Sequence, residues 1–327
     1  MSGNVLEIEI FSAWNTYAVS MMSVLENCDM WRKTDTFQKF MCETGIAARF
    51  CVDKTCSPLP ITDYDWMDEH TGFMERIGVQ TVKYFAAPDD SAYDRTQKKA
   101  IQEVEKAIDN KRACVAWGID AGEFGVIYGY DEEDKVFFVK GIGSTNTDFS
   151  LPVLYHNLGK TFEYAPVLYC EIPQAFHEVD EDQAFRDFLN TYIQEMEKRS
   201  DNPERAYGFA AYDMLIDAAQ EREFNTFGLR YCTGIYHERK EAIVIYLSER
   251  QKEENDPLLD QFTDSFRKTL RLYQKLMRDV LQQDTDGWNH LSKPISEECY
   301  PEIISVLHEI KESEEKNVAV AKQMLNR

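Results

Sequence analysis

Nucleophilic catalysis needs a thiolate or an activated hydroxyl beside a base, and this chain offers eight cysteines and six histidines toward that end. The cysteines stand at 28, 42, 51, 56, 114, 170, 232 and 299. Cys114, Cys170 and Cys232 lie inside apolar stretches and read as reduced core thiols. Cys42, Cys51, Cys56 and His70 form the one grouping with metal-site character. Only Cys51 and Cys56 approach the spacing of a zinc module, so no metal is expected. Cys51 or Cys56 with His70 is also the most plausible thiol–imidazole combination for an acyltransferase or amidase. His70 itself falls on an apolar helical stripe, which predicts a satisfied core histidine. His156 and His177 are expected at the surface, and His237, beside Glu238 and Arg239, in an exposed ion-pair network. The loop GIGSTNTDF follows a strand without opening a helix, so it fits neither phosphate-binding nor dinucleotide-binding patterns, and no cofactor is implied.

The elements that must position these residues are legible from periodicity. Residues 113–139 read as three strands, ACVAW, FGVIYGY and KVFFV, the last two joined by the turn DEED. TVKYFAA and YAPVLYCEI are further strands, LEIEIF is a short first strand, and ARFCVD and VLYHNLG are weaker ones. NTYAVSMMSVLEN predicts a buried helix that Asn15 or Thr16 can cap. A second helix is expected over 36–44 with Gly45 as its stop, and a third over 65–77 ending at Gly78. DRTQKKAIQEVEKAIDNKR is strongly amphipathic, with Ala100, Ile101, Val104, Ala107 and Ile108 inward. From Glu181 only helical periodicity is visible, over 181–199, 203–221, 226–251, 256–283 and 297–325, with Pro203 and Pro257 placed as first-turn prolines. The fold class is therefore α+β, with a domain at 1–175 followed by an all-α helical bundle at 176–327.

Charge narrows the partners. The net charge is −22, with 16 basic against 27 acidic residues in 1–175 and 20 against 31 in 176–327, hence −11 on each part. Phosphate contact needs a basic stripe, so nucleic acid and anionic membranes are not expected partners. No run is long and apolar enough to span a bilayer, and the N-terminus lacks a basic leader. A cytoplasmic protein is the expectation, with self-association of the helical half as one further role.

Three stretches together carry a resemblance to a known family. WNTYAVSMMSVLEN sits where that family has its nucleophile helix. TGIAARF and the DWMDEH helix match its middle segment. EFGVIYGYDEEDKVFFV is similar to its unit of histidine, apolar strand, Gly-Tyr-Asp turn and strand. The chain resembles the papain-like, C39-peptidase-like family of butirosin biosynthesis protein H, and RYCTGIYHERKEAIVIYLSE is similar to a helix of the domain that follows. The resemblance implies a papain-like, cysteine-peptidase-like first domain. It also implies a cysteine at the start of the first helix, a histidine at the start of the central strand, an orienting Asp or Asn near 140–141, and an upstream glutamine. This chain has Asn15 and Thr16 at the first place, Glu123 at the second, Lys140 and Gly141 at the third, and EIEIFSA upstream. Cys28 stands at the far end of the helix, where the dipole disfavours a thiolate. The expectation is a pseudoenzyme that binds a small peptide, acyl or amino-acid-like ligand, or a protein partner. Asn15, Thr16, Glu123 and Asp148, the last in the 141–149 loop, would line its cleft.

Overall fold

A computed structural model describes residues 3–28, 35–120, 122–144, 151–163, 165–223, 225–282 and 291–327. It is a mixed α/β structure with an antiparallel sheet. In chain order the elements are β1 (Gly3–Val5), α1 (Thr16–Glu26), α2 (Phe37–Glu43), β2 (Cys51–Asp53), α3 (Trp66–Arg76), β3 (Val79–Ala86), α4 (Tyr93–Asp109), β4 (Cys114–Ile119), β5 (Glu123–Asp131), β6 (Val136–Gly141), β7 (Val153–Leu154), β8 (Leu168–Phe176), α5 (Glu181–Glu197), β9 (Arg205–Tyr207), α6 (Gly208–Glu221), α7 (Thr226–Glu253), α8 (Pro257–Gln274) and α9 (Tyr300–Leu325). Two compact units result. One comprises Met1–Phe40 and Trp66–Glu178, the other Met41–Asp65 and Val179–Arg327. Residues 41–65 thus pack with the helices that follow 178, where the sequence reading placed a single boundary near 175.

The first unit is built on one antiparallel sheet, in the order β3-β8-β4-β5-β6-β7, with β1 also on β5. Strand side chains alternate between faces. One face carries Cys114, Ala116, Ile127, Phe137, Leu168, Cys170 and Ile172, and the amphipathic α4 covers it with Ala100, Val104, Ala107 and Ile108. Burying an aliphatic side chain of this size contributes about 1.5–3 kcal/mol. The opposite face carries Lys83, Val115, Tyr169 and Glu171, and α1 and α3 pack there. On that face the register sets Lys83 directly across from Glu171.

Two expectations for β1 and the helical half need correction. LEIEIF was expected to be the first strand, yet the strand is Gly3–Val5. Gly3, Asn4 and Val5 pair with Asp131, Tyr130 and Gly129, and Leu6 N donates to Tyr128 O at 2.9 Å. The next partner along β5 is Ile127, which already pairs with Cys114 of β4. The ladder ends because its edge is occupied, whatever the alternation of residues 7–11.

In the second unit, residues 203–221 do not start as a helix. Arg205–Tyr207 pairs with β2, matching Cys51 to Tyr207 and Asp53 to Arg205. Asn202 accepts from Glu204 N at 2.9 Å in a turn leading to that strand. α6 then begins at Gly208, whose φ is +51° and whose N–H donates to Phe50 O at 3.0 Å. A Cβ there would lie 2.1 Å from Met196 O, so only glycine permits this approach. Pro257, by contrast, does open α8, with the Asp256 side chain accepting from Leu258 N at 2.9 Å. Beyond Gln274 the chain continues as a π-helical turn, Lys275–Val280. α5, α7 and α9 match the predicted segments to within three residues at either end.

Candidate functional site

The chemistry-bearing end of the first unit begins at the start of α1. The Asn15 side chain accepts from Ala18 N at 3.3 Å and caps the helix. Thr16 is therefore the first helical residue, 5 % exposed. Its Oγ1 does not cap. It donates to Glu123 Oε2 at 3.0 Å, across 107 residues of sequence. Glu123 opens β5 opposite Ile119. The turn between them needs Gly122 at φ +74°, where a Cβ would lie 2.5 Å from the Phe162 ring. Two expected site residues, Thr16 and Glu123, are thus brought together, and Asn15 serves as the cap that sets their geometry. Asp148 lies outside the described residues, as do 145–147 and 149 of the expected loop.

Immediately behind this pair lies a buried polar cluster. Glu171 is fully buried. Its Oε1 accepts from Thr81 Oγ1 at 2.7 Å and faces Lys83 Nζ at 3.2 Å. Its Oε2 accepts from Tyr17 at 3.0 Å and from Tyr169 at 2.6 Å. Lys83 also donates to Thr71 Oγ1 at 2.7 Å and Thr81 Oγ1 at 3.0 Å. The Tyr169 oxygen lies 2.6 Å from His70 Nδ1. A phenol has one proton, and here it points to Glu171. His70 must then donate from Nδ1, which assigns its tautomer from the network. The Tyr17 ring stacks on the His70 ring at 3.6 Å, and Phe124, the residue after Glu123, meets Tyr17 edge-on at 5.3 Å. The cluster and the Thr16–Glu123 pair thus share two consecutive residue pairs, Thr16–Tyr17 and Glu123–Phe124.

His70 is the satisfied core histidine expected, with Tyr169 as its partner. Lys83, Tyr169 and Glu171 were not anticipated. Their signal was one charged residue in each of two otherwise apolar strands, TVKYFAA and LYCEI, where an unpaired charge cannot be buried cheaply. His237 corrects another expectation. It is half-buried, its Nε2 has no hydrogen-bond partner, and burial pulls its pKa down. Arg239 beside it is 4 % exposed, so this turn of α7 is not a solvated ion-pair network.

The thiols are held away from nucleophilic chemistry. Burial pushes Cys51 up to about 11, against the opposing effect of a hydrogen bond with Tyr207. A hydrogen bond with Cys232, then burial, pushes Cys56 up as well. Both belong to the unit containing β2, whereas His70 lies on α3 of the first unit. Cys28 follows the C-terminal end of α1, its N–H donating to Leu25 O at 2.9 Å. Among the described residues no three His, Cys, Asp or Glu side chains are grouped to hold a metal, and no helix is long and apolar enough to cross a membrane. No family model matches the chain. No curated protein matches it either, so the functional reading rests on the geometry of the Thr16–Glu123 pair and the cluster behind it.

Proposed function

We propose that the first unit is a papain-like domain that has exchanged cysteine-peptidase chemistry for binding, taking a small peptide or amino-acid-like ligand at the Thr16–Glu123 pair. The observation that carries this reading is the 3.0 Å hydrogen bond from Thr16 Oγ1 to Glu123 Oε2. It joins the two positions at which the family resemblance places nucleophile and base. A carboxylate is a poor base for a hydroxyl at neutral pH, whereas it is a good acceptor.

The direction of that bond also selects the ligand. Thr16 spends its only proton on Glu123, so the hydroxyl oxygen and the carboxylate present acceptors. A ligand engaging both must bring N–H donors, as an ammonium or an amide does. A bare carboxylate or thioester carbonyl would meet repulsion.

The test is a panel of amide and thioester substrates with the purified full chain, beside binding measurements with amino-acid amides. The expected result is no turnover above background, and ligand binding at least tenfold weaker in Glu123→Gln, since roughly 1.4 kcal/mol is a factor of ten. Turnover that disappears in Glu123→Gln overturns the binding reading and makes the pair catalytic.

A further inference from the structure

Three basic side chains of α7 are buried, and two have found partners. Arg230 donates to the carbonyls of Leu281 at 3.2 Å and Leu291 at 3.4 Å, and also to that of Lys293. Lys240 lies 2.6 Å from Glu314. Arg239, adjacent to Lys240 in sequence, is different. It is 4 % exposed, its Nη1 donates to the Arg49 carbonyl at 2.8 Å, and its buried Nε meets no acceptor. Among the described residues no carboxylate forms an ion pair with it. The Tyr236 ring, 5.4 Å from the guanidinium carbon, is a weak substitute for a counter-ion. Burial pulls its pKa down and the charge of Arg49 acts in the same direction, while Tyr236, Tyr64 and the Glu238 carboxylate oppose them.

The surroundings add cations. Arg49 is 8 % exposed, with its guanidinium 4.1 Å from the Tyr64 ring centre. Arg49, Arg205 and Lys198 all act electrostatically on Cys51, in the β2–β9 strand pair. Tyr236 ties α7 to that pair, since its hydroxyl accepts from Cys51 N at 3.3 Å and donates to Cys51 O. Arg205 is paired with Asp63, and Lys198 with Glu195 at 3.5 Å.

We infer that α7 and the β2–β9 pair form a binding site for an oxyanion group, a carboxylate or a phosphate, with Arg239 as its buried anchor and Arg49 beside it. A guanidinium offers its N–H groups as a planar fork that fits such anions two at a time. The ligand would supply Arg239 with the ion pair that no carboxylate of the described residues makes with it. This inference is independent of the reading given to Thr16 and Glu123, which belong to the other unit.

The experiment uses the full chain, titrated with sodium phosphate and, separately, sodium acetate, each against sodium chloride at matched ionic strength. Thermal unfolding and calorimetric binding are read together, because a ligand that binds only the folded state raises the melting temperature saturably. A saturable rise with phosphate or with acetate, beyond that with chloride, is expected, and the anion that produces it identifies the source. In Arg239→Met the response is expected to weaken at least tenfold, while the variant free of anion melts at or above wild type because a buried charge with no ion pair has gone. Should that variant fail to fold, Arg239→Lys keeps the charge and loses the fork, with the same tenfold weakening expected. A wild-type response no greater than with chloride overturns the inference, as does an undiminished response in whichever variant folds.

Discussion

The two units each bury one glutamate with a lysine and tyrosines, and they do so with different precision. In the sheet unit, Glu171 accepts on both oxygens, and Lys83 donates to the Thr71 and Thr81 hydroxyls. In the helical unit, Glu314 takes the hydroxyls of Tyr192 and, at 3.4 Å, Tyr212, together with Asn317 Nδ2 at 3.0 Å and Lys240 at 2.6 Å. Lys240 there lies off the line of a hydrogen bond, and Asn317 Oδ1 has no donor. The difference follows from the scaffold. Strand pairing sets opposite side chains to within a fraction of a residue, so Lys83 and Glu171 meet by register. Helices offer only the side chains that fall on their facing ridges. A well-matched polar cluster suits a platform for a site, and the sheet cluster is the one that adjoins Thr16 and Glu123.

The largest effect should come from removing either glutamate. Glu171→Ala and Glu314→Ala each leave a buried lysine without its partner, a loss of about 3–5 kcal/mol. Denaturant unfolding measures it, and the sheet variant should suffer more because the hydroxyl hydrogen bonds to Glu171 are all 3.0 Å or shorter, whereas that of Tyr212 to Glu314 is 3.4 Å. A larger loss in Glu314→Ala would reverse the comparison. The helical cluster should also be alkali-sensitive. Burial raises Tyr192, Tyr212 and Tyr273 well above their ordinary values, aided by the Glu314 charge at Tyr192 and Tyr273 and by Tyr273 itself at Tyr212. For an acid whose folded pKa is raised, the stabilisation is complete below the unfolded value near 10 and declines as pH rises above it. Stability should therefore fall beyond about pH 10, and Tyr192→Phe should flatten that fall. An unchanged slope in this variant would show that the loss arises elsewhere.

Smaller effects probe how the sheet cluster supports the site. Tyr169→Phe removes the hydroxyl that joins His70 to Glu171, at a cost of about 1–3 kcal/mol because His70 Nδ1 is left without an acceptor. The histidine proton resonances should shift in the same variant. Silence in those resonances would contradict the assigned tautomer. Asn15→Ala should cost about 1 kcal/mol through loss of the α1 cap. Asn15→Asp, which retains an acceptor and adds a favourable charge at the helix start, should restore most of it.

Much of the architecture was legible because it is local. Strands β3 to β6 and β8 follow runs of β-branched and aromatic residues bounded by Gly and Asp, and α4 follows an apolar stripe at helical spacing. The failures have particular causes. β1 stops at Val5 because β4 occupies the rest of that edge of β5. β9 interrupts a helical pattern because Gly208 permits a backbone approach that no other residue would. Lys83 and Glu171 were invisible as a pair, since each strand showed its lone charge without showing which strand would lie beside it.

Local sequence therefore determined the cap at Asn15, the start of α1 without a cysteine, the strand that opens with Glu123, and the long helices of the second unit. Those outcomes depend on neighbours within a few residues, where dihedral preference, capping and side-chain period act directly. Tertiary structure decided the rest: that Thr16 meets Glu123 across 107 residues, that Glu171 lies opposite Lys83, and that Arg239 is buried with its Nη1 on the Arg49 carbonyl. Such meetings are set by strand order, register and helix packing, and period alone leaves these open because many registers satisfy the same alternation of apolar and polar residues.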